Sequence, residues 1–238
     1  MKLIIDIGNT NTKLAIFDSK KIVNTIVIPN LELKLIKNFL GKSTISATII
    51  SCVKDVDDDI MNIVNYFNAT LFDQTTNIPI DNKYKTLNTL GNDRIAAVVG
   101  AIYLFPQKDV LIFDAGTCLT IDFANKNKQY LGGRISPGIA MRYHSLHNFT
   151  AKLPLLTYDE KYMYLGNDTN TSIISGVQQG IMAEVKSVIL DYQSCNHETI
   201  IIFTGGDSLF FEKELKNSIF AEPNLVLIGL NEILDYND

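Results

Sequence analysis

The sequence predicts an α/β protein of two similar domains, each a mixed sheet flanked by helices, with an active-site cleft between them. Two strand–turn–strand elements, at residues 3–18 and 110–123, each lead into alternating helix and strand patterns. The elements resemble each other, because LIIDIGNTNTKLAIF and LIFDAGTCLTIDF share an apolar strand ending in Asp, then one residue, Gly, and Asn or Thr. We therefore expect domains at 1–108 and 109–238, although two unrelated hairpins with common turn residues would give the same pattern.

Composition and charge exclude several classes of protein. The 238 residues are 46% hydrophobic and 20% charged, which describes a globular chain rather than a disordered one. With 26 acidic and 21 basic residues the net charge is −5, which argues against a nucleic-acid partner but leaves room for a small basic pocket. No apolar run reaches the roughly 18 residues of a spanning helix, so no membrane association is expected. The three widely spaced cysteines predict reduced thiols in the cytoplasm.

Hydrophobic periodicity and turn residues predict the individual elements. In the first half, we expect strands over 3–7, 13–18, 22–28, 46–53 and 70–73, and helices over 30–40, capped by Asn30, and 57–67. In the second half, we expect strands over 110–114, 119–123, 199–204 and 225–229, and a strand with a tight turn within 129–133. Helices are expected over 138–149, 171–194 and 207–217, and a final helix closes the chain.

The turn between the first two strands, D-I-G-N-T-N-T-K, is rich in groups that suit phosphate oxygens. Gly8 lets the backbone turn and lets a ligand approach closely. Lys13 adds a positive charge, and Asp6, at the end of a buried strand, offers oxygens to Mg²⁺. Further donors come from Asn9, Thr10, Asn11 and Thr12. A plain hairpin turn held by Asx-type hydrogen bonds would use the same residues, and this loop alone leaves both interpretations open.

A second loop, D-A-G-T-C-L-T, repeats the pattern at Asp114, Gly116 and Thr117. Two such loops facing each other would hold a polyphosphate and its metal ion from both sides. Farther along the chain, Gly205 and Gly206 follow a predicted strand. They either let the backbone approach an adenine or a ribose, or form a simple strand-to-helix turn. The two loops together predict phosphate binding more strongly than either one alone.

The segment Gly91-Asn92-Asp93-Arg94 precedes the apolar run IAAVVGAIYLF and predicts the start of a helix. Asn92 is expected to cap this helix, with Asp93 and Arg94 in its first turn. An acid in a first turn has a plain explanation, because it interacts favourably with the helix dipole. A carboxylate beside a fixed guanidinium also suits a general base next to a group that binds a carboxylate.

Together these motifs resemble those of the type III pantothenate kinases, members of the actin-like superfamily that includes sugar kinases and Hsp70. The matching motifs are D-I-G-N-T at 6–10, G-N-D-R at 91–94, D-A-G-T at 114–117, G-G-R-I-S-P-G at 132–138, T-A-K-L-P at 150–154 and T-G-G at 204–206. The resemblance runs from residue 3 to about 206, and G-x-D-R followed by G-G-x-I-x-P-G is its most specific part. It implies two actin-like domains and the ATP-dependent phosphorylation of pantothenate to 4'-phosphopantothenate, the first step of coenzyme A biosynthesis.

The resemblance also implies roles for individual residues. The implied ATP contacts are Asp6, Gly8, Asn9, Thr10, Asn11, Thr12, Lys13 and Thr117. Asp93 corresponds to the general base that takes the proton from the primary hydroxyl of pantothenate. The other implied substrate contacts are Tyr84, Gly91, Asn92, Arg94 and Thr169, and a register slip in N-D-T-N-T would replace Thr169 by Thr171.

The same resemblance implies cofactors and a partner. Mg²⁺ is expected near Asp6 through an indirect contact. Asp114 corresponds to a ligand of the monovalent cation, K⁺ or NH₄⁺, that the family requires beside Mg²⁺. Family members are usually homodimers, with the pantothenate pocket completed across the interface. Asp168 and Cys118 depart from the common family pattern, and neither departure removes a proposed catalytic group.

Two other functions fit parts of the pattern. Actin-like folds also serve as nucleotide-operated switches, and some relatives of this family were first described as transcriptional accessory factors. A kinase of another small hydroxy acid or of a sugar would use the same loops. Asp93 with Arg94 separates a kinase from a switch, because a pure switch needs no base aimed at an acceptor hydroxyl. Tyr84 and Arg94 favour, through the resemblance, an acceptor that carries a carboxylate.

Overall fold

The computed structural model describes residues 1–215 and 219–238 and divides the chain into two units. The first unit contains Met1–Gln107, Ala124–Gly132 and Asn224–Asp238, and the second contains Lys108–Phe123 and Gly133–Pro223. The first boundary lies one residue from the expected division after residue 108. The segment from Asn224 onward, however, packs with the first unit, although it follows the second unit in the chain.

Strands and helices follow the alternation that the sequence predicts. The strands are β1 (Lys2–Ile7), β2 (Thr12–Asp18), β3 (Lys21–Ile28), β4 (Ala47–Cys52), β5 (Thr70–Leu71), β6 (Asp81–Asn82), β7 (Val110–Ala115), β8 (Cys118–Ala124), β9 (Gln129–Pro137), β10 (Ile200–Thr204) and β11 (Phe220–Ala221). The helices are α1 (Leu33–Leu40), α2 (Asp58–Phe67), α3 (Asn92–Leu104), α4 (Ile139–Asn148), α5 (Thr169–Cys195), α6 (Ser208–Leu215) and α7 (Leu225–Asn237). Within the described part of the chain, no helix is both long and apolar enough to span a membrane.

The two sheets share one strand order, which confirms the predicted repeat. The first sheet is ordered β3-β2-β1-β4-β5, and the second contains the corresponding run β9-β8-β7-β10-β11. β1 pairs antiparallel with β2 and parallel with β4, and β7 pairs parallel with β10. Asp6 on β1 and Asp114 on β7 therefore occupy corresponding positions, each near the end of a central strand and two residues before a glycine.

Each unit has its own hydrophobic core. In the first unit, buried side chains of β1, β2 and β4 pack with α1 and α2, for example Ile5 with the helix residues Ile36 and Ile63. In the second unit, the stacked rings of Phe113 and Phe203 join β7 to β10, with centroids 4.6 Å apart. Helices α4, α5 and α6 contribute further buried residues to this second core.

Helix α7 packs on α3 within the first unit at a crossing that glycine makes possible. A β-carbon on Gly229 would overlap the carbonyl oxygen of Ala96, and one on Gly100 would overlap that of Leu225. The expected strand over 225–229 is therefore wrong, because these residues form the first part of α7. A short apolar run suits a buried strand or a buried helix, and the packing partner decides between them.

Two other details differ from expectation. Asn30 does not cap α1, which begins at Leu33 after Glu32. The tight turn expected within 129–133 is absent, since β9 continues to Pro137 and the positive φ of +113° at Gly132 lies inside the strand. The strand over 199–204 and the helix from 207 are confirmed within one residue, and residues 216 and 217 of that helix lie outside the described residues.

Candidate active site

In the first unit, the connection between β1 and β2 forms a tight polar turn. The Gly8 amide donates a hydrogen bond of 3.0 Å to the carbonyl oxygen of Asn11. A β-carbon on Gly8 would lie 3.0 Å from the same oxygen, so a larger residue would press on the turn. The side chains of Asn9, Thr10 and Asn11 are exposed, whereas Thr12 is only 3% exposed. The turn therefore presents two amide side chains and one hydroxyl to solvent.

Opposite charges flank this turn. Asp6 and Lys13 are cross-strand partners in the β1–β2 ladder, and both are half-buried. Directly opposite residues on antiparallel strands share one face of the sheet. On the other side of β1, the register partner of Asp6 is Ser51 of β4, which is fully buried. A carboxylate and an ammonium group thus stand on one face beside the polar turn.

The first turn of α3 holds the half-buried carboxylate of Asp93 in a defined orientation. The Arg94 amide donates to Oδ1 of Asp93 over 2.8 Å, and a β-carbon on Gly91 would overlap that Oδ1 atom. Gly91, and not Asn92, is the N-cap residue, so the expected cap is wrong. The Asn92 side chain instead donates to the carbonyl oxygen of Phe72 over 2.8 Å, which ties the start of α3 to the chain after β5.

Arg94 and Tyr84 come together in the first unit, although they are ten positions apart in the sequence. Arg94 is only 5% exposed, and its guanidinium carbon lies 5.5 Å from the centroid of the Tyr84 ring. The Tyr84 ring in turn stacks on Tyr130 with centroids 6.0 Å apart and planes at 13°. Distances of this size are typical of cation–π and offset aromatic contacts.

In the second unit, two glycines enclose the turn after β7. A β-carbon on Gly205 would lie 2.5 Å from Oδ1 of Asp114 and would overlap the Ala115 carbonyl oxygen. A β-carbon on Gly138 would overlap the carbonyl oxygen of Gly116, and the Gly138 amide donates to the Thr117 carbonyl oxygen over 3.2 Å. The half-buried Asp114 and the exposed Thr117 are therefore held by backbone that only glycine allows so close.

A mostly apolar cavity of about 420 Å³ opens beside the end of β10. Its lining includes Gly206, Asp207, Phe210, Tyr143, Leu156 and Tyr158. Burial raises the pKa of the Asp207 carboxyl group above its usual range. The cavity belongs entirely to the second unit and adjoins the glycines that follow β10.

A buried amide holds one wall of this cavity. The fully buried Gln178 accepts a hydrogen bond from the Asp159 amide and donates one to the Asp159 carbonyl oxygen, each 2.9 Å long. Its Oε1 atom also accepts from the Tyr143 hydroxyl over 3.0 Å. Burial raises the pKa of Tyr143 to about 12, so this hydroxyl stays protonated and remains a donor. Gln178 thus fixes the chain around Asp159 between α4 and α5.

The start of α5 distinguishes Thr169 from Thr171. The Thr171 amide donates to Oδ1 of Asp168 over 2.8 Å, and the Thr171 hydroxyl accepts from the Asp168 amide over 3.2 Å, which forms a capping box. The hydroxyl of Thr171 is thus used by the cap. Thr169 is exposed and lines a groove of about 870 Å³ between α4 and α5.

The carboxylates suit a cation that is bound together with a phosphate ligand. Among residues 1–215 and 219–238, no group of three or more His, Cys, Asp or Glu side chains could hold a metal ion. Asp6 and Asp114 are instead single half-buried carboxylates beside tight turns. In phosphoryl-transfer sites, Mg²⁺ commonly takes one or two carboxylates and completes its shell with phosphates and water. The Asp6 carboxylate by itself fits Mg²⁺ on those terms.

Sequence reasoning missed several contributors to these sites. Tyr130, Gln178 and Gly138 contact their partners only through the fold, since each lies at least 19 residues from the group it positions. Of these three residues, only Gly138 could have been found from the sequence, because it is the last residue of the G-G-R-I-S-P-G motif. Asp207 directly follows the paired glycines, and no sequence motif marks it.

Comparison with known sequences identifies close relatives. The model of a family described as type III pantothenate kinase matches residues 2–191. The type III pantothenate kinase of Christiangramia forsetii is 44% identical over 242 residues, covering 100% of this chain and 99% of the relative. That of Flavobacterium johnsoniae is 41% identical over 239 residues, covering 99% and 98%.

Comparison with solved structures bears on the fold alone. A Baf family protein from Campylobacter jejuni, described as a transcriptional activator, superposes with a TM-score of 0.66 at 22% identity, covering 99% of this chain and 98% of that one. Component A of (R)-2-hydroxyglutaryl-CoA dehydratase from Acidaminococcus fermentans gives 0.53 at 14% identity, covering 99% and 96%. A glucokinase from an Antarctic psychrotroph gives 0.51 at 12% identity, covering 100% and 99%. These neighbours confirm the predicted two-domain, actin-like fold class.

Proposed function

Because the chain belongs to the type III pantothenate kinase family, we infer that it transfers the terminal phosphoryl group of ATP to the primary hydroxyl of pantothenate. This reaction is the first step of coenzyme A biosynthesis, and the enzyme is a phosphotransferase with an alcohol group as acceptor. The observation that carries the conclusion is the family match over residues 2–191. The nucleotide-operated switch and the kinase of another acceptor are not favoured, because relatives that match nearly the whole chain are pantothenate kinases.

The ATP phosphates are bound by the loop that runs from Asp6 to Lys13 in the first domain. The exposed donors of the turn and the charge of Lys13 suit phosphate oxygens, and the exposed Thr117 is a further ATP contact. When bound, Mg²⁺ and K⁺ or NH₄⁺ neutralise phosphate charge, which is the main requirement of phosphoryl transfer. Asp6 would hold Mg²⁺, and Asp114 would be a ligand of the monovalent cation.

The acceptor is bound by the segment that contains Asp93. Its Oδ1 atom accepts from the Arg94 amide, and this contact orients the carboxylate. Asp93 takes the proton of the primary hydroxyl as the hydroxyl oxygen bonds to the γ-phosphorus, while the bond from that phosphorus to the β–γ bridging oxygen breaks and ADP leaves. Arg94 binds the carboxylate of pantothenate next to Tyr84, and Thr169 supplies a hydroxyl contact. Gly91 and Asn92 contribute by holding the backbone in the position that these contacts need.

A homodimer is the expected assembly, and the second unit offers surface for it. Phe149, Tyr164 and Leu165 are 89%, 85% and 83% exposed, which is unusual for apolar side chains of this size. Replacing Leu165 by Asp should dissociate such a dimer, as measured by analytical ultracentrifugation. A cytoplasmic location agrees with the supply of ATP.

ADP release tests the function directly. The purified protein is assayed with ATP, Mg²⁺ and pantothenate, with K⁺ present or replaced by Na⁺. Turnover that depends on pantothenate and collapses without K⁺ would support both the kinase and the role of Asp114. Turnover that is indifferent to K⁺ would retain the kinase and reject the role of Asp114. No turnover with pantothenate would reject the kinase.

A further inference from the structure

Tyr130 touches the Tyr84 segment through its backbone as well as through its ring. It is fully buried at the start of β9, where its register partner is Asn82 of β6. Its carbonyl oxygen accepts from the Lys83 amide over 2.9 Å, and the Tyr84 amide donates to Oδ1 of Asn82 over 3.0 Å. The backbone on which Tyr84 is carried is therefore anchored to that of Tyr130.

The stacked rings of Tyr130 and Tyr84 connect this backbone contact to the guanidinium group of Arg94. Tyr84 stacks on Tyr130 at 6.0 Å, and the guanidinium of Arg94 lies 5.5 Å from the Tyr84 centroid. Arg94 is 5% exposed, so its side chain is oriented by contacts with the protein rather than by bulk water. The side chain of Tyr130 is fully buried, and a displaced ring there would remove the stacking partner of Tyr84.

From this chain of contacts we infer that Tyr130 is a positioning residue for pantothenate: its ring fixes Tyr84 and, through Tyr84, the guanidinium that receives the substrate carboxylate. The inference rests on the proposed function, in which Arg94 binds that carboxylate. A bidentate guanidinium–carboxylate pair depends on the plane of the guanidinium, so a loosened stack weakens substrate binding. ATP binding and the proton transfer at Asp93 do not depend on this stack.

The test compares Tyr130→Leu and Tyr130→Phe with wild type in the ADP-release assay. Tyr130→Leu removes the ring and should raise KM for pantothenate roughly fivefold to tenfold. Its KM for ATP and its kcat at saturating pantothenate should stay within about twofold of wild type. Tyr130→Phe keeps the aromatic ring in the stack, so its KM for pantothenate should equal that of wild type. Phe17→Leu is the matched control, because Phe17 is equally buried in the first unit and has no place in the site.

Thermal unfolding of each variant separates positioning from a general loss of stability. A Tyr130→Leu protein whose KM for pantothenate is no higher than that of Phe17→Leu would overturn the inference. A raised KM in Tyr130→Phe would also overturn it, because the hydroxyl rather than the ring would then matter. If Tyr130→Leu does not fold, Tyr130→Met replaces it in the same comparison, since Met fills irregular space without a ring. A wild-type enzyme that does not phosphorylate pantothenate would reject the proposed function itself, before any variant is compared.

Discussion

Gly205 holds its backbone so close to Asp114 that a β-carbon would lie 2.5 Å from the Oδ1 atom of the carboxylate. Thr204, the residue before Gly205, is the register partner of Asp114 between β10 and β7. Gly205 also has a φ of +90°, which side chains rarely tolerate. The neighbouring Gly206 has open space where a β-carbon would be built. Two adjacent glycines therefore meet very different requirements.

Gly205→Ala and Gly206→Ala form a matched pair that tests this difference. Gly205→Ala should lower the free energy of unfolding by roughly 1–3 kcal/mol, because the backbone conformation is strained for alanine. It should also reduce turnover by displacing Asp114. Gly206→Ala should leave the unfolding free energy nearly unchanged. Urea unfolding and ADP release measure both effects, and equal behaviour of the two variants would contradict the role of the close contact.

Asp93→Asn tests the general base. The asparagine Oδ1 atom can still accept the hydrogen bond from the Arg94 amide, so the start of α3 should be preserved. We expect kcat to fall by roughly 10²-fold or more, because the amide cannot take the proton of the hydroxyl. ATP binding, measured by calorimetry, should be retained. A kcat near that of wild type would remove Asp93 from this role.

Thr169→Ala and Thr171→Ala should affect different properties. The Thr171 hydroxyl accepts from the Asp168 amide in the capping box, so its loss should cost about 1 kcal/mol of unfolding free energy. Thr169 is exposed, and its replacement should leave stability unchanged while raising KM for pantothenate roughly twofold to tenfold. Chemical unfolding and steady-state kinetics separate the two variants. The reverse pattern would assign the substrate contact to Thr171.

Asp207→Asn should raise the melting temperature at pH 7. Burial raises the pKa of Asp207 above its ordinary value of 3.8, so the folded protein retains the proton at a higher pH than the unfolded chain does. The contribution of Asp207 to the free energy of unfolding therefore falls as the pH rises from 3.8 through the raised pKa of the folded protein. An asparagine has no charge to bury, so the variant should melt at a higher temperature than wild type at pH 7. This difference in melting temperature should disappear below about pH 3.8. Melting curves from pH 3 to 8 check this, with the exposed Asp18→Asn as the control for charge removal.

Local motifs were sufficient to predict both strand–turn–strand elements and the repeat that contains them. In each loop an apolar strand ends in an aspartate and leads into a glycine, and these are properties of neighbouring residues. The two sheets share an order of five strands, as expected if the two similar sequence segments fold in the same way. Local motifs did not predict the cap of α3, because Asn92 donates to the distant carbonyl of Phe72 instead of capping the helix.

The sequence by itself therefore determined the fold class, the family and the chemical groups of the candidate site. The tertiary structure decided that residues 225–229 are helical, because Gly229 lets the backbone of α7 pack against the carbonyl oxygen of Ala96 on α3. It also decided which residues support the site, since the pairing of β6 with β9 brings Tyr130 to Tyr84. Strand and turn motifs arise from interactions between neighbours in the chain, whereas these contacts join distant segments whose partners no local pattern identifies.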